Sequence, residues 1–202
     1  MSLREVASWR ALGASRAPER ELSAADAPSR PGFERALAAR RREASEQRAA
    51  LGAALGLADE ALLGRLVELD VRGSTALAFW LAPLVEVAWA DGRVDPDERW
   101  RVLEVATRHG IELGTPAHGL LEDWLEARPD DALFRAWHRL AAEQGVPGRG
   151  AEHVLLESAS SVASATGGLL GFGPVSRSER RALAAIERSL AGCAASGAGA
   201  HA

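Results

Sequence analysis

The sequence predicts an all-α protein, and three observations carry that prediction. From residue 57 onward, apolar residues recur at spacings of three and four, which is the period of an amphipathic helix. Helix-start and helix-stop residues (Ser, Thr or Asp before a stretch, Gly or Pro after it) separate these stretches. No stretch alternates convincingly with the period of two that is typical of strands. We therefore expect a compact multi-helix domain over residues 57–192, preceded by a flexible N-terminal arm.

Composition and charge narrow the classes of protein to consider. The chain has 202 residues and a net charge of −4, and after residue 50 its 21 acidic residues outnumber its 14 arginines. Phosphate binding needs a basic surface, so we expect no nucleic acid partner. Cys193 is the single cysteine, which excludes an internal disulfide framework and a cysteine-based zinc site. The N-terminus lacks the apolar run of a signal peptide, and the apolar stretch 76–90 is too short to span a bilayer. The expected location is the cytoplasm, with any membrane association indirect.

The first quarter of the chain divides into two predicted segments. Residues 1–32 contain a short helix over residues 2–12, followed by a proline-containing disordered linker. Residues 33–56 follow a helical but polar pattern, and we expect this helix to be exposed or to dock through Phe33, Leu37 and Leu51. At the other end, residues 193–202 are rich in Ala and Gly and are expected to form a disordered tail.

Between these segments we expect about seven helices, the average element length being about 11 residues. One of them, residues 74–90, is apolar almost all round, which is typical of a central buried helix, and Pro83 is expected to kink it. Leu77 is placed on the core side of that helix. Core packing is the default role of the tryptophans in the domain. These are Trp80, Trp89, Trp100, Trp124 and Trp137.

The acidic loop between the central helix and the next one is the centre of the sequence. Asp95-Pro96-Asp97-Glu98 is first of all a helix start, with Asp95 as N-cap, Pro96 at the first helical position and Glu98 completing a capping box. Ser176-Arg177-Ser178-Glu179 is the same device further along the chain. Capping explains these residues, but it does not explain Asp91.

A second interpretation of the loop is a divalent cation site formed by Asp91, Asp95 and Glu98. In an alignment with an EF-hand calcium loop, Gly92 falls on the sharp turn and the three acids fall on ligand positions. Val87 and Trp89 fall on the first two ligand positions and cannot coordinate a cation. Half of an ion site is thus present, and both interpretations remain open.

The stretch from Val87 to Arg99, VAWADGRVDPDER, followed by a helix and Gly110-Ile111, resembles the signature of the TerB-like (tellurite-resistance protein B-like) family. That family repeats its motif in a second half, and here residues 173–179, GPVSRSE, fill that slot. The resemblance covers about residues 57–192. Phe172 and Ser176 stand where the first motif has Asp91 and Asp95, so the second half of an acidic site is incomplete.

The resemblance implies an internally duplicated helical domain with a divalent cation, such as calcium, magnesium or manganese, held by acidic loop residues. Residue by residue, the metal role falls on Asp91, Asp95 and Glu98, and on Glu179 in the second loop. It also implies a protein partner in a tellurite-resistance, stress-response or envelope-associated system.

The alternative function is a purely structural or scaffolding helical protein without a metal. We expect no enzyme, because no nucleophile–base or acid–base pair is readable in the sequence. If the two motifs are true counterparts, the valines that precede the two caps, Val94 and Val175, are both expected to be buried.

Overall fold

The computed structural model describes residues 30–148, 150–165 and 175–198. Within these ranges every regular element is a helix, so the prediction of an all-α fold is confirmed. The α-helices are α1 (Arg30–Leu55), α2 (Glu60–Glu68), α3 (Ala76–Trp80), α4 (Ala82–Ala88), α5 (Pro96–Arg108), α6 (Pro116–Glu126), α7 (Asp131–Gln144), α8 (Ala151–Ala163) and α9 (Arg177–Ala198). A short 3-10 turn, Gly73–Thr75, leads into α3.

The chain forms two units, residues 1–43 and residues 44–202. In the first unit, the described part is the N-terminal portion of α1, which begins at Arg30, three residues before the predicted start. Pro31 is compatible with this start because the first helical turn needs no backbone donor. Phe33 and Leu37 are exposed. The predicted helix at residues 2–12 and the linker up to residue 29 lie outside the described residues.

The second unit contains the hydrophobic core and begins within α1. Leu51 and Leu55 are buried, so Leu51 is the one predicted docking residue that contributes to the core. At the other end of the unit, α9 continues to Ala198, six residues beyond the predicted end of the domain.

Two short helices, α3 and α4, take the place of the single kinked helix predicted over residues 74–90. The chain leaves helical geometry at Leu81 and resumes at Ala82, with Pro83 in the first turn of α4. Proline lacks a backbone N–H and tolerates a helix start, which explains why the break falls here. Eight α-helices therefore lie between residue 57 and residue 198 of the described chain, instead of about seven.

The short helix α4 is the centre of the second unit. Six of its seven residues are buried, and the exception is Glu86. It packs against α5, α6, α7, α8 and α9, while α3 packs against α6 and the 3-10 turn. The most extensive helix pair is α7 with α9. Because α4 leads directly into the acidic loop, the position of that loop is fixed by the core.

Leu77 and Trp100 are exposed, so the prediction that they lie in the core was wrong. Leu77 of α3 is 54% exposed and Trp100 of α5 is 59% exposed. The buried face of α5 carries Glu98, Val102 and Val105, and a residue two positions from Glu98 and Val102 points to the opposite side of a helix. The apolar side chain of Trp100 is therefore presented to solvent.

Gly52 in α1 and Gly64 in α2 differ in how closely other atoms approach them, so substituting each by alanine tests how tightly the start of the second unit is packed. A Cβ at Gly52 of α1 would lie 2.8 Å from the carbonyl oxygen of Leu57 and 3.1 Å from Leu63 Cδ1. A Cβ at Gly64 of α2 would lie 4.0 Å from its nearest neighbour, Arg48 Cδ.

We predict that Gly52→Ala lowers the free energy of unfolding by about 1 kcal/mol or more, because overpacking outweighs the gain in helix propensity. Gly64→Ala should raise it by about 0.5–1 kcal/mol, since only the propensity gain applies. Urea denaturation of both variants measures the difference. If both substitutions stabilise the protein, the close approach at Gly52 is contradicted.

Candidate acidic site

The acidic loop connects the end of α4 at Ala88 to the start of α5 at Pro96. Its turn is built on Gly92, which has φ +97° and donates its N–H to the carbonyl of Trp89 at 3.0 Å. Glycine adopts this backbone conformation without steric cost. The Trp89 indole N–H donates to the carbonyl of Trp124 in α6 at 2.8 Å, which anchors the loop to the neighbouring helix.

Asp91 has a local structural partner that the capping argument did not anticipate. Its Oδ1 accepts the backbone N–H of Arg93 at 3.2 Å, two residues later in the chain. This is the Asx-turn pattern, in which an aspartate side chain supports a backbone turn. Asp91 is thus accounted for as a turn residue as well as a candidate ligand.

The predicted capping box at α5 is present. The Glu98 side chain accepts the backbone N–H of Asp95 at 2.9 Å, and the Asp95 side chain faces the backbone N–H of Glu98 in the reciprocal arrangement. Glu98 is 1% exposed, which is uncommon for a glutamate. This box therefore carries a carboxyl group into the interior of the domain.

The second motif repeats this arrangement at the start of α9. Glu179 accepts the backbone N–H of Ser176, and the Ser176 hydroxyl accepts the backbone N–H of Glu179 at 3.1 Å. Glu179 is 4% exposed. Val94 and Val175, which precede the two caps, are both half-buried against the core and not fully buried as expected. Residues 171–174 of the second motif, including Phe172, lie outside the described residues.

The two boxes influence each other electrostatically. Burial is the main cause that raises the pKa of Glu98 from its ordinary value of 4.5 to about 7, and the backbone N–H of Asp95 opposes the shift. The negative charges of Asp91, Glu179 and Asp95 raise the pKa of Glu98 further. These are the other three residues that the sequence assigned to a metal site, so the fold places all three of their carboxyl groups within electrostatic range of Glu98.

The chemistry of this donor set fits a hard divalent cation, because calcium, magnesium and manganese prefer carboxylate oxygens. One cationic side chain already lies at the loop. Arg93 Nε is 4.0 Å from Asp91 Oδ2, and Arg93 Nη2 is 3.7 Å from Asp95 Oδ2. Within the described residues, no three His, Cys, Asp or Glu side chains are gathered as a ready ligand set. Asp91, Asp95, Glu98 and Glu179 are the residues that could hold a cation, and the Arg93 guanidinium, whose side chain is 74% exposed, lies beside the first two of them.

Comparisons with protein-family models, with curated proteins and with solved structures find no match for this chain. The TerB-like resemblance therefore stands on the motif residues alone. In the described part of the chain, no helix combines the length and apolar character needed to cross a membrane.

A polar cluster that the sequence did not indicate lies at the junction of α4, α7 and α9. The ring of His138 is 2.9 Å through Nε2 from Glu86 Oε2 and 2.8 Å through Nδ1 from Ser189 Oγ. Ser189 lies 51 positions after His138 and Glu86 lies 52 positions before it, so no local sequence motif predicts this cluster.

The order serine, histidine and glutamate, at hydrogen-bond distances, is the pattern of an activated nucleophile. However, the Ser189 hydroxyl also lies 3.1 Å from the carbonyl of Ala185 in its own helix, which it can donate to. A polar hollow of about 300 Å³ is lined by Glu86 and His138 but not by Ser189. The cluster is best explained as a hydrogen-bonded link that fixes three helices.

The raised pKa of Glu98 predicts how stability depends on pH. Glu98 titrates near 4.5 in the unfolded chain and near 7 in the folded protein, so between these values the folded state binds more protons. The contribution of Glu98 to the free energy of unfolding is therefore greatest at low pH, and it falls as the pH rises from 4.5 to 7. At 1.36 kcal/mol per pKa unit the fall is at most about 3 kcal/mol.

Urea denaturation at pH 5 and pH 8, with chelator present, measures this fall. Glu98→Gln is the matched control, because glutamine keeps an acceptor for the Asp95 N–H and cannot ionise. The variant should lose that part of the pH dependence. An identical difference between the two pH values in wild type and variant would contradict the shift.

Proposed function

We propose that the protein is a non-enzymatic helical module that binds a divalent cation at the acidic site and acts through a protein partner in the cytoplasm. The observation that carries the proposal is that the charges of three carboxyl groups, from two similar loops, act on the buried carboxyl group of Glu98. Glu98 and Glu179 are buried. The negative charges of Asp91, Glu179 and Asp95 each raise the pKa of Glu98. A divalent cation would relieve this repulsion. The TerB-like resemblance of the same motif supports a tellurite-resistance, stress-response or envelope-associated setting.

When bound, a divalent cation would supply two positive charges, which would favour the ionised form of Glu98. Asp91, Asp95, Glu98 and Glu179 would supply the oxygen ligands, and the backbone contacts of these residues would hold the two loops in place. Because the two loops directly precede α5 and α9, cation binding would link the N-terminal ends of these helices. The surface presented to a partner would then depend on the concentration of free cation.

A specific observation favours the alternative, a structural or scaffolding protein without a metal. Asp91, Glu98 and Glu179 each accept a backbone N–H from their own loop, and Asp95 faces one. Local backbone support is thus sufficient to explain why these side chains are acidic or polar. The experiment must therefore separate backbone support from charge.

Asp91→Asn makes this separation. Asparagine keeps an oxygen acceptor for the Arg93 N–H and removes the charge. If the site binds a cation, wild-type protein should be stabilised by about 2.7 kcal/mol at a hundredfold excess of cation over the dissociation constant. Asp91→Asn should bind the cation at least about tenfold more weakly, with metal-free stability within about 0.5 kcal/mol of wild type. Thermal melts with added calcium, magnesium or manganese, followed by calorimetry, measure both quantities.

Asp97→Asn is the matched control, since Asp97 is an exposed acid of the same helix start that is not among the main charges acting on Glu98. It should leave the affinity nearly unchanged, whereas Glu179→Gln should weaken it. Arg93→Gln should strengthen cation binding, because it removes the competing guanidinium. Wild-type melting temperatures that stay unchanged in millimolar amounts of all three cations would rule out the proposed site.

A further inference from the structure

A recess in the surface of the second unit leads into the hydrophobic core. Its volume is about 120 Å³. The floor of the recess consists of Leu81, Ile111 and Leu155, each at most 4% exposed. Leu81 is the residue at which the chain leaves helical geometry between α3 and α4, so the floor lies at the break in the central helix. We refer to this feature as the Leu81 recess.

The walls of the Leu81 recess are also apolar. Trp80 and Val146 are half-buried along them, and Leu77 and Pro147 are exposed lining residues at the mouth. Among the described lining residues, His109 alone has a polar side chain, and it is exposed. The exposure of Leu77, which periodicity placed in the core, is therefore explained by a hollow beside it that no described side chain fills.

The connection from α7 to α8 forms one side of this hollow. Gly145 ends α7 with φ +73°, and Pro147, two residues later, has its own φ fixed by the proline ring. A turn restricted in this way keeps Val146 and Pro147 at the side of the recess instead of inside it. Side chains that line an unfilled hollow lose packing contacts. An apolar molecule inside the recess would restore those contacts.

The dimensions of the Leu81 recess favour a small molecule over a partner protein. A stable protein interface needs a broad apolar centre within roughly 800 Å² on each partner. Among the described residues that line the recess, Leu77 is the single large apolar side chain that is exposed, so the apolar surface is confined to the interior. Because an apolar protein cavity of about 150 Å³ is known to bind benzene, the recess suits a molecule of about one six-membered ring.

The lining also determines the chemistry of the occupant. No Arg, Asp or Glu side chain is among the described residues that line the recess, so a charged group would lose its hydration without gaining a counter-charge. Trp80 supplies an aromatic surface against which a ring can pack edge-on or with an offset. These features favour an uncharged ring.

We propose that the Leu81 recess is a binding site for a small uncharged ligand built on a single apolar ring. This inference goes beyond the proposed cation binding and does not depend on it. The two sites lie at opposite ends of α5, because Glu98 is in its first turn and His109 directly follows its last residue. At 1.5 Å per residue these positions are roughly 16 Å apart along the helix axis.

Nuclear magnetic resonance of the full chain, in chelator and with benzene as the probe, tests the proposal. Benzene should shift the methyl resonances of Leu81, Ile111 and Leu155 in a saturable way, and nuclear Overhauser effects from benzene to these methyl groups should locate it. Benzoate has the same ring with a negative charge and should bind at least about tenfold more weakly, because the recess offers no counter-charge.

Ala151→Phe should weaken benzene binding at least about tenfold, since Ala151 lines the recess and is half-buried, so that the added ring occupies the same space. Ala54→Phe is the matched control, because it makes the same substitution at an exposed alanine that does not line the recess. It should bind benzene like the wild type. Circular dichroism melts check that both variants are folded.

Four results would each overturn the proposal. The first is a wild type that shows no saturable binding of benzene, which would leave the recess to a side chain of a partner protein. The second is Overhauser contacts to other methyl groups only, a result that needs no variant. The third is unchanged affinity in folded Ala151→Phe, and the fourth is benzoate binding as tight as that of benzene. Because chelator is present throughout, a failure here is distinct from a failure of the cation site.

Discussion

The interaction on which the acidic site depends is the hydrogen bond from the backbone N–H of Asp95 to the buried carboxyl group of Glu98. In most capping boxes this glutamate is a surface residue that satisfies one orphan donor of the helix. Here the same contact holds a titratable group in the protein interior, where burial raises its pKa to about 7. The requirement to begin α5 thus places a carboxyl group where its charge is costly. Glu179 repeats the placement at the start of α9.

Two consequences follow from that placement. The folded protein has an acid that changes its charge near neutral pH, at a position where the charges of three further carboxyl groups act on it. The site also has an exposed counter-charge, since the Arg93 side chain is 74% exposed and lies beside Asp91 and Asp95. A proton on Glu98 and the guanidinium of Arg93 therefore both offset negative charge at this site, and the proposed divalent cation would be a third way to do so.

The sequence was sufficient for features that depend on local interactions. Helix starts at Asp95 and Ser176 are visible because each cap lies next to the helix it serves. The exposure of Trp100 was not predictable, because an apolar residue is compatible with core and interface alike.

Tertiary features could be predicted from the sequence only in part. The four candidate ligands were named from motif spacing, but the burial of Glu98 depends on how α5 packs, which spacing does not report. The His138 cluster joins residues more than fifty positions apart, and no periodicity connects them. The turn role of Asp91 is local in principle, since Asp-Gly is a common turn pair, and attention to side-chain acceptors in turns would have found it.

The break between α3 and α4 has a consequence for how this sequence can change over evolutionary time. Because Pro83 ends the continuity of the central helix, the seven residues of α4 meet six other helices at once, α3 included, while α3 meets fewer. A replacement in α4 must therefore satisfy several neighbours simultaneously, whereas one in α3 or on the outer face of α5 must satisfy few. Divergent versions of this protein should keep the small and branched side chains of α4 and the proline in its first turn, and should vary most on the peripheral helices.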